Sequence, residues 1–477
     1  MSLTTDTDKL FQTDEQHRRA AIRAAKADAL AERGAPIKLA TKPLDVLVRE
    51  VEGKEPEAFV AESGFVVRRV GLESGKTKQL FKGHTGPVTC IYFYTTPSGR
   101  ELLISGSWDK SVRVWDIATK TCISTTVAHI DFVKCLHVIP SLQLLLTGSS
   151  DKDLRAWDLT PLDSLSLNAC APSDEPAAPQ EGAAPAPAVA SSPLTSVLAL
   201  KAHTRPLEAL ASYALREPLP EGVEEDEVDI RDRKRTGRWA VVSADSMGAV
   251  KVWEVWRDEE GRIKGERRCE VRNHEAGVWD LQVSPEGELW TASADSSLVL
   301  SRLSLTNPTT PPVPILRIPH PSQVRSFLPL PITASLRALP TPPPPYLLTG
   351  ASDELLRIFD LSSAALDPDA AREQRRKWDG LPVSAEAKVE GCVKEIEAHT
   401  HDVVQLRAYT TAGEGGRREV WVLSASLDGT LRRWKWPDLM NEEWSKVVLV
   451  EVKEEGEKEG LLTAEEEAEL EALMADD

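Results

Sequence analysis

Between Gly83 and Asp116 the chain alternates short apolar runs with polar breaks. Val88–Tyr92, Leu102–Ser105 and Val112–Trp115 are rich in β-branched and aromatic residues, and Gly, Pro, Ser or Asp bounds each of them. Runs this short, branched and punctuated predict strands rather than helices. The stretch opens on Gly83-His84 and closes on Trp115-Asp116.

The same order of elements recurs. A Gly-His pair or its degenerate form stands at His84, His129, His203, His274, His320 and His399, so six of the nine histidines share one repeat position. Each is followed by a strand, a Ser/Thr-x-Ser-x-Asp-like turn and a second strand. The endings are Trp115-Asp116, Trp157-Asp158, Trp253-Glu254, Phe359-Asp360 and Trp434-Lys435, while the fifth repeat ends in Ser301-Arg302. Self-similarity at this spacing is the signature of a radial repeat architecture. Over roughly residues 44–452 the chain resembles the WD-repeat family. That resemblance implies an all-β fold, a seven-bladed β-propeller of four-stranded antiparallel blades. It also implies a network in each blade of the histidine, a Ser or Thr, the turn Asp and the closing Trp. The physical logic stands beside the analogy: a buried imidazole needs a partner for each ring nitrogen, and a buried indole N–H needs an acceptor. The sets are His84, Ser105, Asp109 and Trp115; His129, Thr147, Asp151 and Trp157; and His399, Ser424, Asp428 and Trp434.

Three repeats depart from the pattern and predict incomplete networks. With Trp253 and Ser243 in register, the His203 repeat holds Met247 at the Asp position, and Asp245 lies two residues early. The His274 repeat keeps Thr291 and Asp295 but has Ser301 for Trp; the His320 repeat keeps Thr349 and Asp353 but has Phe359. Ahead of His84 lies a worn copy, Glu57–Ser63, Phe65–Leu72 and Thr77–Phe81, with Val70 in the Trp place and Leu44–Val51 as its innermost strand. It brings the blade count to seven. The last blade then lacks an outer strand, for which Val447–Val452 and Ile37–Thr41 compete.

Charge and composition narrow the function. A net charge of −18 argues against direct nucleic-acid binding and against docking on anionic membranes. No apolar run is long enough to span a bilayer, and the acidic start of the chain fits no signal peptide. Six scattered cysteines without a C-x-x-C pair predict reduced thiols in the cytoplasm or nucleus. Residues 1–43 read as an N-terminal extension with a basic helix over about 13–33, and residues 44–452 as the propeller. Within it lie a Pro/Ala/Ser-rich insert expected to be disordered (160–193) and charged inserts at 215–238 and 363–390. Residues 453–477 read as an acidic tail with a short helix. From Glu451 onward the chain carries twelve acids against two bases. With strands counted from the propeller axis outward, every long insert falls between first and second strands or between third and fourth. One face therefore carries the long loops, and the other is lean.

No candidate chemistry outweighs a packing role. The His–Ser–Asp sets resemble a hydrolase triad in composition, yet they recur at a structural repeat position. His137 sits in an apolar strand and reads as a core histidine, and His401 belongs to no network. No enzyme activity, cofactor or metal site is expected. By the resemblance, partners dock on the lean face at positions three and five residues after the repeat histidine and one before the turn Asp. These include Trp108, Phe132, Lys134, Glu208, Trp279, Gln323, Arg325 and Asp402. Aromatic residues beside Lys134 and Arg325 fit a peptide with apolar and acidic side chains. The expected function is a non-enzymatic scaffold or adaptor for protein–protein interaction. Its rivals are a substrate receptor of a cullin-type ubiquitin ligase and a subunit of an RNA-processing or ribosome-assembly complex. The ligase role often shows Arg two residues after Trp-Asp, and none of the repeat ends here has it.

Overall fold

The computed structural model describes residues 14–164, 194–201, 203–218, 233–330, 346–361, 392–413 and 418–441. Its strands form seven four-stranded sheets, antiparallel throughout. The second blade, Val88–Thr95, Glu101–Ser107, Ser111–Asp116 and Cys122–Val127, contains the stretch from Gly83 to Asp116. The worn copy forms the first blade from Pro43–Arg49, Glu57–Glu62, Val66–Gly71 and Thr77–Lys82. Inner strands of blades three to six begin at Val133, Leu207, Val278 and Val324. Each inner strand neighbours the next, and Val403–Ala412 of the seventh returns to Pro43–Arg49 of the first, closing the ring.

Closure also settles the competition for the last outer strand. Ile37–Lys38 pairs with Thr430–Lys435, with Ile37 opposite Leu431 and Lys38 opposite Thr430. Val447–Val452 and the acidic tail lie outside the described residues, as does most of the 160–193 insert. Joining an early strand to the last blade removes a free sheet edge.

The core sits between blades. Phe59 and Phe81 of the first blade pack with Phe93 and Trp115 of the second; Phe59 meets Phe93 edge-on at 5.0 Å between ring centres. Contacts of this kind contribute about 1 kcal/mol each beyond area burial. Every inner strand carries a β-bulge at its second residue, Leu44, Thr89, Lys134, Glu208, Trp279, Arg325 and Val404, and that of the fourth blade carries another near its far end. A bulge re-aims a side chain and adds twist. At blades one and five the following residue, Asp45 or Asp280, accepts a backbone N–H from the next blade's inner strand, Ile91 at 3.0 Å or Phe327 at 3.3 Å.

The loops segregate by face. First-to-second and third-to-fourth connections include residues 217–234 and 159–194, whereas the turns holding Asp109, Asp151, Asp295 and Asp428 are tight. Arg33–Lys446 form one compact unit. Outside it the described structure is a single helix, α1 (Asp14–Ala29), with Lys26 in its last turn. No helix of the described residues is long and apolar enough to cross a membrane.

Candidate functional site

The histidine networks come first, because they decide what the lean face is made of. His84 Nδ1 lies 2.8 Å from Asp109 and Nε2 lies 2.8 Å from Ser105, whose Oγ accepts the Trp115 N–H at 2.9 Å. The bond order follows: indole N–H to hydroxyl, hydroxyl to Nε2, Nδ1–H to carboxylate. It requires a neutral imidazole. Burial lowers the proton affinity of His84, His129 and His399, and outweighs the pull of the adjacent carboxylates. Burial pushes Asp109 and Asp428 the other way, but the bonds from His84 and His399 hold both below the usual carboxylate range. The third blade repeats the chain through His129, Asp151, Thr147 and Trp157, and the seventh through His399, Asp428, Ser424 and Trp434.

The fourth blade corrects the sequence expectation. Asp245 reaches His203 at 2.9 Å, His203 meets Ser243 at 2.8 Å, and Ser243 accepts the Trp253 N–H at 2.9 Å. Asp245 lies at the end of its strand rather than in the turn, and still collects the N–H groups of Met247 and Ala249. The fifth blade keeps His274–Asp295 and His274–Thr291, and Thr291 turns its hydroxyl to the Val299 carbonyl. In the sixth, Asp353 turns to Arg357 at 2.7 Å and His320 Nδ1 donates to the Ser322 carbonyl. Burial, with Arg357 alongside, pushes the His320 pKa down to about 4.

Each turn is locked to the loop of its own blade. The residue before the turn Asp donates its N–H to the carbonyl three residues after the histidine: Trp108 to Pro87, Ser150 to Phe132, Ser352 to Gln323 and Leu427 to Asp402. Two of the three positions read from sequence as contact sites are therefore bonded to each other. The third, five residues after the histidine, is the bulge. Gly86 permits the close approach; a Cβ there would sit 2.9 Å from the Asp109 nitrogen.

The eight lean-face residues divide into two sets. Trp108 stacks on Phe132, ring centres 5.0 Å apart, and both stay open at 41% and 38% exposure. Ile130 beside them is 76% exposed. Trp279, by contrast, is covered: the Arg325 guanidinium lies 3.8 Å from its ring centre, and Arg325 pairs with Asp402 at 3.1 Å. His401, expected to stand alone, bonds Asp402 through Nδ1. Lys134 pairs with Glu208 at 3.2 Å, and Gln323 is exposed. Lys134 and Arg325, read from sequence as contacts for acidic side chains of a partner, are thus already matched within the protein.

Sequence reasoning missed the cations that are free. The residue after the turn Asp has a positive φ in blade after blade: Lys110 at 70°, Lys152 at 76°, Ser296 at 61°, Glu354 at 72°, with glycine at Gly429. Lys110 and Lys152 are exposed there. Their signal was legible as Asp-Lys at a turn, although nothing in it showed that Lys134 and Arg325 would be occupied. His137 lies on an inner strand against Ser212 at 2.9 Å, and burial lowers its pKa to about 4. The five described cysteines are free thiols, and among the described residues no group of His, Cys, Asp and Glu is arranged to hold a metal.

The family model described as WD domain, G-beta repeat, matches residues 75–116 and 120–158. Each match joins the outer strand of one blade to the inner three of the next. An uncharacterized WD repeat-containing protein of Schizosaccharomyces pombe is 33% identical over 108 residues, 22% of this chain and 29% of that one. WD repeat-containing protein 18 of Rattus norvegicus is 47% identical over 49 residues, 10% and 11% of the two chains. An F-box/WD-40 repeat-containing protein of Arabidopsis thaliana is 38% identical over 63 residues, 13% and 11%. The aligned part spans less than a third of each of these relatives.

Proposed function

We propose, from the premise that this chain is a WD-repeat protein, that it is a non-enzymatic adaptor whose lean face holds a segment of a partner protein. The observation that carries the reading is the exposed Trp108–Phe132 stack. Large aromatic side chains left open on a rigid frame are the usual anchors of protein interfaces. The frame is rigid because the histidine networks and the turn-to-loop bonds fix the backbone beneath the rings. The His–Ser–Asp sets supply packing here, with every ring nitrogen and hydroxyl already engaged.

Two narrower roles stay within this class: a substrate receptor of a cullin-type ubiquitin ligase, and a protein subunit of an RNA-processing or ribosome-assembly complex. Both would use the same face, in cytoplasm or nucleus, and the identity of the bound proteins separates them. The test is a tagged pull-down of the wild-type chain against a Trp108→Ala/Phe132→Ala double variant, read by quantitative mass spectrometry. A defined set of proteins should be lost from the variant while its melting temperature holds. An unchanged set would remove the lean face as the docking site.

A further inference from the structure

We propose that the segment held on the Trp108–Phe132 stack is acidic, and that Lys110, Lys152, Arg205 and Lys82 select it. The inference rests on the docking reading above and adds the chemistry of the partner.

Three observations carry it. First, the exposed charges on the lean-face turns and loops of blades two to four, and at the end of the first blade's outer strand, are basic. Lys82, Lys110, Lys152 and Arg205 are all exposed, and no described carboxylate lies within ion-pair distance of any of them. This is a local excess of positive charge on a chain of net charge −18. Second, the acids on the same arc are engaged. The Asp109 and Asp151 side chains are 8% and 2% exposed and face their histidines, Glu208 holds Lys134, and Asp131 caps the Phe132 N–H.

Third, two of the cations occupy backbone positions that do not favour them. Lys110 and Lys152 have φ of 70° and 76°, a left-handed conformation that glycine adopts at no steric cost. The equivalent position in the seventh blade is Gly429, at 80°. Lys110 follows two residues after Trp108 and Lys152 two residues after its counterpart Ser150, and both side chains are exposed. The same position holds Ser296 at 61° and Glu354 at 72° in blades five and six, so among the described turns those of blades two and three are the ones that place a cation there.

The fold thus offers an aromatic platform whose own turns, those of blades two and three, carry Lys110 and Lys152, with Lys82 and Arg205 on the connections that lead into the same face. An acidic segment bearing one large apolar side chain fits it, with the apolar group on the rings and the carboxylates at the rim. Rim charges of this kind act on selectivity and association rate, and their effect weakens with salt.

The test pans a phage-displayed library of random peptides on the full chain, then measures the strongest binder as a synthetic fluorescent peptide at low and high salt. Selected sequences should combine acidic residues with a large apolar one. Lys110→Gly/Lys152→Gly should hold or raise the melting temperature while weakening the peptide about tenfold at low salt and much less at high salt. Selected peptides without acidic character, or a double variant that binds as wild type while Trp108→Ala does not, would overturn the charge inference and leave the docking reading standing. Indifference to Trp108→Ala as well would overturn both. Tighter binding of a single-stranded oligouridylate at the same residues would replace the acidic peptide with nucleic acid.

Discussion

The lean side of blades two and three and that of blades five and six are built on the same repeat and present opposite surfaces. In blades two and three the histidine chains run unbroken from indole to carboxylate, and the aromatic pair above them is open. In blades five and six the indole leg is missing, Asp353 has left its histidine for Arg357, and the one aromatic on the surface lies under a guanidinium. Trp108 and Phe132 are left exposed above complete networks, although Lys134 of the third blade still bonds Glu208 of the fourth. Around Trp279 the surface residues bond one another across blades, Arg325 of the sixth to Asp402 of the seventh. A repeat position therefore does not fix whether a side chain is available to a partner; its neighbours on adjacent blades do.

The sharpest way to break the comparison is to remove the histidine from each arc. His84→Ala takes one hydrogen bond from the buried Asp109 carboxylate, which keeps those of Thr85 and Ser111, and leaves the Ser105 hydroxyl without its acceptor. It should cost about 2 kcal/mol beyond the shared loss of packing. His320→Ala leaves Asp353 paired with Arg357 and should cost about 1 kcal/mol beyond the shared loss of packing. Urea midpoints of the two variants measure the gap; equal losses would mean that the carboxylate bond is not what separates the arcs. On the surface, Trp108→Ala should weaken a lean-face peptide by about 2 kcal/mol. Arg325→Ala, measured by the same anisotropy titration, should leave that peptide unchanged, because Trp279 and Arg325 belong to the matched arc. A comparable loss from both would make the two arcs one site.

Much of this was legible in the sequence. The seven blades, the face that carries the long loops and the four-group sets follow from apolar runs and from histidine, Asp and Trp at fixed offsets. Val70 and Phe359 stand at Trp positions, and neither side chain carries an N–H, so the missing leg could be read directly. Two things could not. Asp245 sits two residues early, and only the backbone path of its strand end shows that it still reaches His203. The pairing of Lys134 with Glu208 joins residues 74 apart in sequence, and that of Arg325 with Asp402 joins residues 77 apart. Such pairs depend on which inner strands lie side by side and on bulges that bring Lys134 to Glu208 and Arg325 to Asp402. A repeat alignment assigns each residue a position but not its neighbour across the blade gap.

Acid separates the arcs less strongly. A histidine whose proton affinity falls on folding takes up its proton more readily in the unfolded chain. Its contribution is therefore whole above about pH 6.5 and declines as pH drops below that value. For His320 the decline should run from 6.5 down to its folded value of about 4, at about 1 kcal/mol per pH unit. Melting temperatures at pH 7 and pH 5 should thus lie apart in the wild type and closer together in His320→Gln. An unchanged interval would show that His320 takes up its proton without loss of packing.

The smallest expected effect asks which residue makes the sixth blade different. Phe359→Trp restores an N–H within the register that serves Ser105 from Trp115 in the second blade, and Thr349 is the acceptor it would meet. A new buried hydrogen bond contributes about 1 kcal/mol. The extra ring atoms enter a site where Phe359 is 1% exposed, and overpacking there takes back a similar amount. Arg357 still holds Asp353 at 2.7 Å, so His320 keeps its bond to the Ser322 carbonyl and the chain stays broken at its acidic end. The melting temperature should accordingly move by less than about 2 °C. A larger rise would mean that the indole alone organises the network and that Arg357 claims the carboxylate only because Phe359 leaves the chain unfinished. The difference between the two arcs would then trace to a single aromatic substitution.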